Sequence, residues 1–235
     1  MTQPSELPAG AQEGRGKGRG GRRKFELFEL ILLFGLVPAL LALAPRWAVS
    51  LSILASGLIA LAALAFDPSF ARRELLRLGD LTGGPHRQAL RVVLLRALFI
   101  AAGLFALTAL TSPAALFGFP RHRPVVWAVV MVLYPLSAYA QELVYRPFFF
   151  HRYGRLFASP RQAIVASGLL FGWAHIMVNN VLAIGLASIA GLLFASTYAR
   201  SRSTMLVSLE HALYGDIAFT IGLGSVFYSG TRWLG

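Results

Sequence analysis

Apolar stretches of about 20 residues recur along this chain, separated by short connections rich in arginine. A helical run of that length matches the ~30 Å hydrocarbon core of a bilayer. In lipid the backbone must satisfy its own polar groups, so only helices and closed barrels span. Period-two alternation is missing and the runs are too long for barrel strands, which excludes the barrel. The chain is 56% hydrophobic and only 14% charged, against about 25% charged in an ordinary soluble domain. The expected fold class is all-α: a polytopic transmembrane helical bundle of about seven to eight helices.

Spans are expected at about 27–45, 47–66, 91–111, 125–150, 163–179, 180–199 and 204–224. The second-to-third connection carries Arg72, Arg73, Arg77, Arg87 and Arg91. The fourth-to-fifth carries Arg152, Arg155 and Arg161, and the sixth-to-seventh Arg200 and Arg202. With the N-terminus inside, all three basic connections are cytoplasmic, opposed only by Arg121 and Arg123. Residues 1–24 read as a disordered basic cytoplasmic tail. Residues 25–235 read as a single transmembrane helical domain, with a motif-bearing core at about 125–224.

The tail's Arg15 to Lys24 is Gly-rich and lacks aromatics for base stacking. Contact with anionic lipid is therefore expected there, and nucleic-acid binding is not. Cysteine is absent, which removes a disulfide framework, thiolate metal sites and a cysteine nucleophile. The first apolar run is too long for a cleavable signal peptide. In the sixth span Gly185, Ala187, Ser188, Ala190, Gly191 and Ala195 favour close helix packing.

A charge inside the bilayer costs on the order of 2.5–3.5 kcal/mol, so ionisable groups there are functional candidates by default. Three polar constellations lie within the last four spans: Gln141 to Arg146 (QELVYR), Phe171 to His175 (FGWAH) and Glu210 to Asp216 (EHALYGD). Glu142 and Arg146, four apart, share a helix face and can pair, as a structural ion pair or as part of a site. Glu142 and His175 are 33 apart, with a midpoint near Ser159 and Pro160. A helical hairpin turning there brings the two to equal depth, provided the fourth helix continues past Pro147 with a kink. His211 lies about 13 Å into the seventh span and His175 about 21 Å into the fifth. Tilt, or a break near Gly215, is needed to bring both into one site. Glu26, Glu29 and Arg96 sit near span ends, where snorkelling accounts for them.

Together the three motifs resemble those of the CAAX protease and bacteriocin-processing (CPBP, or Abi) intramembrane proteases. That family's pattern is E-E-x-x-x-R, F-x-x-x-H and H-x-x-x-N on successive core helices. Here it reads Gln141-Glu142-x-x-x-Arg146, Phe171-x-x-x-His175 and His211-x-x-x-Gly215. The resemblance implies a bundle with a polar cavity open toward the cytoplasmic side. It also implies hydrolysis of peptide bonds, in a peptide or membrane-protein substrate, at or near the membrane. The expected location is the bacterial plasma (inner) membrane, with a cytoplasmic N-terminus.

The resemblance further implies a water activated by glutamate and histidine, with the third-motif histidine facing the oxyanion. No cofactor is implied; the alternative is zinc held by Glu142, His175 and His211. Gln141 replaces the first glutamate, and an amide cannot take the water's proton. Gly215 replaces the asparagine, with Asp216 directly after it. Glu142 is then the expected base, Arg146 its ion partner, His175 the group sharing the water and His211 the oxyanion-facing group. Gln141, Glu210 and Asp216 are further possible contributors. The alternative function is a catalytically inactive relative with a binding or immunity role. A transporter would show repeat-related segments, and a rhomboid-type enzyme a G-x-S-x-G-like serine; the sequence has neither.

Overall fold

The computed structural model describes residues 9–76 and 84–227, and among them there is no strand. Helix α1 (Ala9–Leu30) runs through a π-helical segment, Ile31–Leu36, into α2 (Val37–Leu41). Residues 1–8 of the expected tail lie outside the described residues; residues 9–24 lie within α1. Next come α3 (Arg46–Phe66), α4 (Arg73–Leu76), α5 (Gly84–Thr111) and α6 (Gly118–His122). The motif-bearing core follows: α7 (Pro124–Leu143), α8 (Phe149–Tyr153), α9 (Pro160–Ala174), α10 (Val181–Ser201) and α11 (Thr204–Ile221). A short α12 (Gly224–Phe227) ends the described chain.

Four stretches among the described residues are long and apolar enough to cross a membrane: Trp47–Phe66, Arg87–Thr111, Pro124–Leu156 and Val181–Ser201. The chain is a multi-pass membrane protein. The remaining expected spans are helical but depart from a simple crossing. The first is interrupted by its π-helical segment, and α9 has 15 residues before a 3-10 turn at His175–Val178. Helix α11 carries Glu210, His211 and Asp216, and packs against α5, α7 and α10. Most of its length is buried against protein, which is where a membrane helix tolerates ionisable groups.

The fourth helix does continue past its proline. Val144–Phe148 forms a π-helical segment that contains Pro147, then α8 carries the chain on to Tyr153. Proline lacks the N–H of a regular turn, and the wider π segment is the form the kink takes. The hairpin turns at the expected place. Ser159 caps α9, its hydroxyl accepting from the Gln162 N–H at 3.3 Å, and Pro160 occupies the first turn.

Helices α9 and α10 then pack with backbones in near contact. A Cβ on Gly168 would meet the Leu192 backbone, and one on Gly191 would meet the Gly168 carbonyl, both at 2.7 Å. A Cβ on Gly172 would fall on Ser188. Small residues let membrane helices approach this closely. Gly185, expected to serve the same packing, has nothing near it.

The basic connections gather at one end of the bundle. Arg155 pairs with Glu26, Arg152 with Glu29 at 2.7 Å, and Arg202 with Glu74 at 3.2 Å. His151 contacts Asp67 at 2.8 Å. The Ser69 hydroxyl, and then His151, hold the Asp67 carboxyl below the usual carboxylate range. Glu26 and Glu29 are thus paired rather than solitary. Arg96 departs further from expectation. Its guanidinium turns inward to Thr197 at 3.1 Å and Glu210 at 3.3 Å, because a buried carboxylate offers it a stronger partner than the interface.

Candidate active site

Glu142 lies in the last turn of α7 and is fully buried. Its Oε2 accepts from Arg146 Nε at 2.7 Å, across one turn. Its Oε1 lies 2.9 Å from His211 Nδ1. Arg146 is equally buried. Its Nη1 donates to Ser167 Oγ at 2.5 Å and to the Tyr145 carbonyl at 3.2 Å. Ser167 in turn donates to that carbonyl at 2.8 Å. The guanidinium carbon stands 5.2 Å from the Phe171 ring centre and 5.9 Å from that of Phe194, within cation–π range. Both carboxylate oxygens of Glu142 are therefore engaged.

His211 is held on several sides. Phe194 stacks on its ring at 4.8 Å and 24°, while Phe171 and Tyr134 meet it edge-on at 5.3 and 5.8 Å. An ionised carboxylate only accepts, so the hydrogen on His211 belongs on Nδ1, leaving the Nε2 lone pair free. His175, at the end of α9, reaches the same state by another route. Its Nδ1 lies 2.9 Å from the Phe171 carbonyl, which also only accepts. Both tautomers are assigned from these partners.

His175 and His211 line one cavity of about 90 Å³, together with Tyr134, Phe171, Phe194, Tyr214 and Gly215. Helix α11 runs unbroken through Gly215, so no break absorbs the difference in depth. The cavity is long enough to take both rings. Its lining continues along α11 through Ala218 and Phe219, away from the basic connections, and is mostly apolar. Phe171 and Phe194, which line it, also flank the Arg146 guanidinium.

The candidates from the sequence thus separate. Glu142, Arg146 and His211 form one contact network, and His175 joins His211 across the cavity. Gln141 turns back along its own helix, donating to the Ser137 carbonyl at 3.3 Å and hydroxyl at 3.2 Å. Glu210 accepts from Tyr214 at 2.8 Å and pairs with Arg96. Asp216 Oδ1 is buried with no partner among the described residues. A His₂Glu zinc set needs a Glu142 oxygen turned toward both rings. Both oxygens are taken, and among the described residues no three His, Cys, Asp or Glu converge on a metal-sized site. The arrangement does not fit zinc.

Sequence reasoning missed Ser167 and Tyr134. Ser167, Phe171 and His175 are spaced by four, one face of α9. That spacing was a usable signal for Ser167. Tyr134 had none, because an aromatic in an apolar span reads as packing.

The family model of the type II CAAX prenyl endopeptidases, Rce1-like, matches residues 122–215. Over these residues the chain is similar to that family. The resemblance seen in the three motifs is borne out there. The matched stretch begins at the end of α6 and closes at Gly215, so it contains Tyr134, Glu142, Arg146, Ser167, His175 and His211. No curated protein and no solved structure matches the chain.

Proposed function

We propose that the protein is an intramembrane endopeptidase of the CAAX-protease type, with His211 as its general base. One observation carries this reading: Glu142 accepts from His211 Nδ1 while His211 shares a cavity wall with His175. Glu142, expected as the base, acts one step behind it. It fixes the tautomer and orientation of the ring and stabilises the imidazolium, as the carboxylate of a catalytic triad does.

A water held between the two Nε2 atoms gives one proton to His211 as its oxygen attacks the peptide carbonyl carbon. The carbonyl π pair moves onto oxygen. On collapse that pair re-forms the double bond, the C–N bond breaks with its electrons on nitrogen, and His211 Nε2–H protonates the leaving amine. The products are a carboxylic acid and an amine. Such proton transfer contributes typically 10²–10⁴-fold. No step requires a cofactor. The apolar lining suits an apolar stretch of a peptide or membrane protein, and the basic end suits anionic lipid.

The test is hydrolysis of a peptide library by purified protein in detergent, with His211→Ala beside it. Cleavage by the wild type, lost in the variant, is expected. A wild type that cleaves nothing but still binds peptides would establish the inactive, binding alternative, which Gln141's turn onto Ser137 favours.

The basic end is assigned to the cytoplasm of a bacterial plasma membrane. With no cysteine in the chain, Ser159→Cys gives a single label site at that end. It is expected to resist an impermeant maleimide applied from outside and to react after permeabilisation. Labelling from outside would invert the assignment.

A further inference from the structure

Position 215 faces the cavity beside both histidines, and there the chain has no side chain at all. The reason lies on α7. A Cβ built on Gly215 would coincide with the Tyr134 ring and its hydroxyl. Tyr134 therefore occupies the volume that any side chain at position 215 would need. Its ring meets His211 edge-on at 5.8 Å and Phe219 at 5.4 Å, interplanar angles 81° and 73°, so the ring is clamped. Its hydroxyl has no hydrogen-bond partner among the described residues. A phenol in an apolar wall usually finds a partner; this one is left with the cavity.

We propose that the Tyr134 hydroxyl donates to the substrate carbonyl oxygen and to the oxyanion that forms from it, and that Gly215 makes room for it there. The proposal rests on the peptidase reading above. The two histidines present acceptor nitrogens, and neither Glu142 nor Arg146 is among the residues lining the cavity. Among the polar groups on the cavity wall, Tyr214 is committed to Glu210 at 2.8 Å. Tyr134 is then the donor left for negative charge on oxygen. In the attack step the carbonyl π pair moves onto oxygen and the Tyr134 O–H bridges to it. The proton stays on tyrosine, and the bond relaxes when the carbonyl re-forms. A fixed donor in a site shut off from water stabilises developing charge at no reorganisation cost.

The test is Tyr134→Phe, which keeps the clamped ring and removes only the hydroxyl. Since that hydroxyl bonds nothing among the described residues, the thermal midpoint in detergent is expected to hold. kcat is expected to fall by about 10²–10³-fold, the usual loss for one oxyanion donor, with KM little changed. Binding of a phosphinate peptide, a tetrahedral anion, reads the same donor without turnover. It is expected to weaken about 10²-fold in the variant while the matching amide peptide binds as before. An unchanged kcat, or equal losses for phosphinate and amide, would overturn the proposal and leave the peptidase reading standing. Loss of hydrolysis in the wild type alone strikes that reading, whereas the phosphinate comparison still decides the role of Tyr134.

Discussion

Arg146→Leu is expected to destabilise the protein by about 3–5 kcal/mol, the cost of stranding one half of a fully buried ion pair. Leucine fills much of the space but leaves the Glu142 Oε2 without its 2.7 Å donor. It also removes the Nη1 bond to Ser167 that ties the π-helical segment to α9, and the one to the Tyr145 carbonyl. The carboxylate must then stay charged and half-paired, or take a proton and release His211. The measurement is the thermal or denaturant midpoint in detergent, with Glu142→Gln/Arg146→Leu beside it. The double variant is expected to recover part of the loss, because the unpaired charge is gone. A midpoint unchanged in Arg146→Leu would mean that the pair carries no structural weight.

Glu142→Gln addresses the chemistry. A glutamine there can accept through its amide oxygen, yet its NH₂ must then face either Arg146 or His211, both of which are donors at that spot. Turning the amide oxygen to Arg146 forces His211 to accept on Nδ1 and carry its hydrogen on Nε2, where the water needs a lone pair. Removing the carboxylate behind a catalytic imidazole costs about 10⁴-fold in the serine-protease triad. A loss of about 10²–10⁴-fold in kcat is expected here. Retained activity would remove His211 as base. Gln141→Glu is the companion measurement. Since Gln141 is turned onto Ser137, no gain is expected. A rise in rate would place the working carboxylate at 141.

How much of this was legible beforehand follows from what each pattern depends on. Runs of about 20 apolar residues between arginine clusters dictate helices in lipid, because no other open structure satisfies its backbone there. The hairpin between Glu142 and His175 was legible for a similarly local reason: Pro147, Ser159 and Pro160 act on their own turns. The three motifs marked Glu142, Arg146, His175 and His211 because ionisable groups in a bilayer are rarely idle.

Side-chain direction was not legible. Whether Glu142 faced water, His175 or His211 depends on how α7, which runs into the π-helical segment at Val144–Phe148, meets α11 more than sixty residues later in the chain. Arg96 had the same ambiguity, since lipid headgroups and a buried Glu210 both attract a guanidinium, and only the packing of α5 against α11 brings the second within 3.3 Å. Tyr134 and Gly215 are the sharpest case. Neither residue alone carries a signal, and their meaning comes from one filling the space the other leaves empty. Periodicity and charge placement determined the elements and the list of groups. Tertiary packing decided which oxygen met which nitrogen, because hydrogen bonds depend on distances of a few tenths of an ångström that no spacing along a chain can encode.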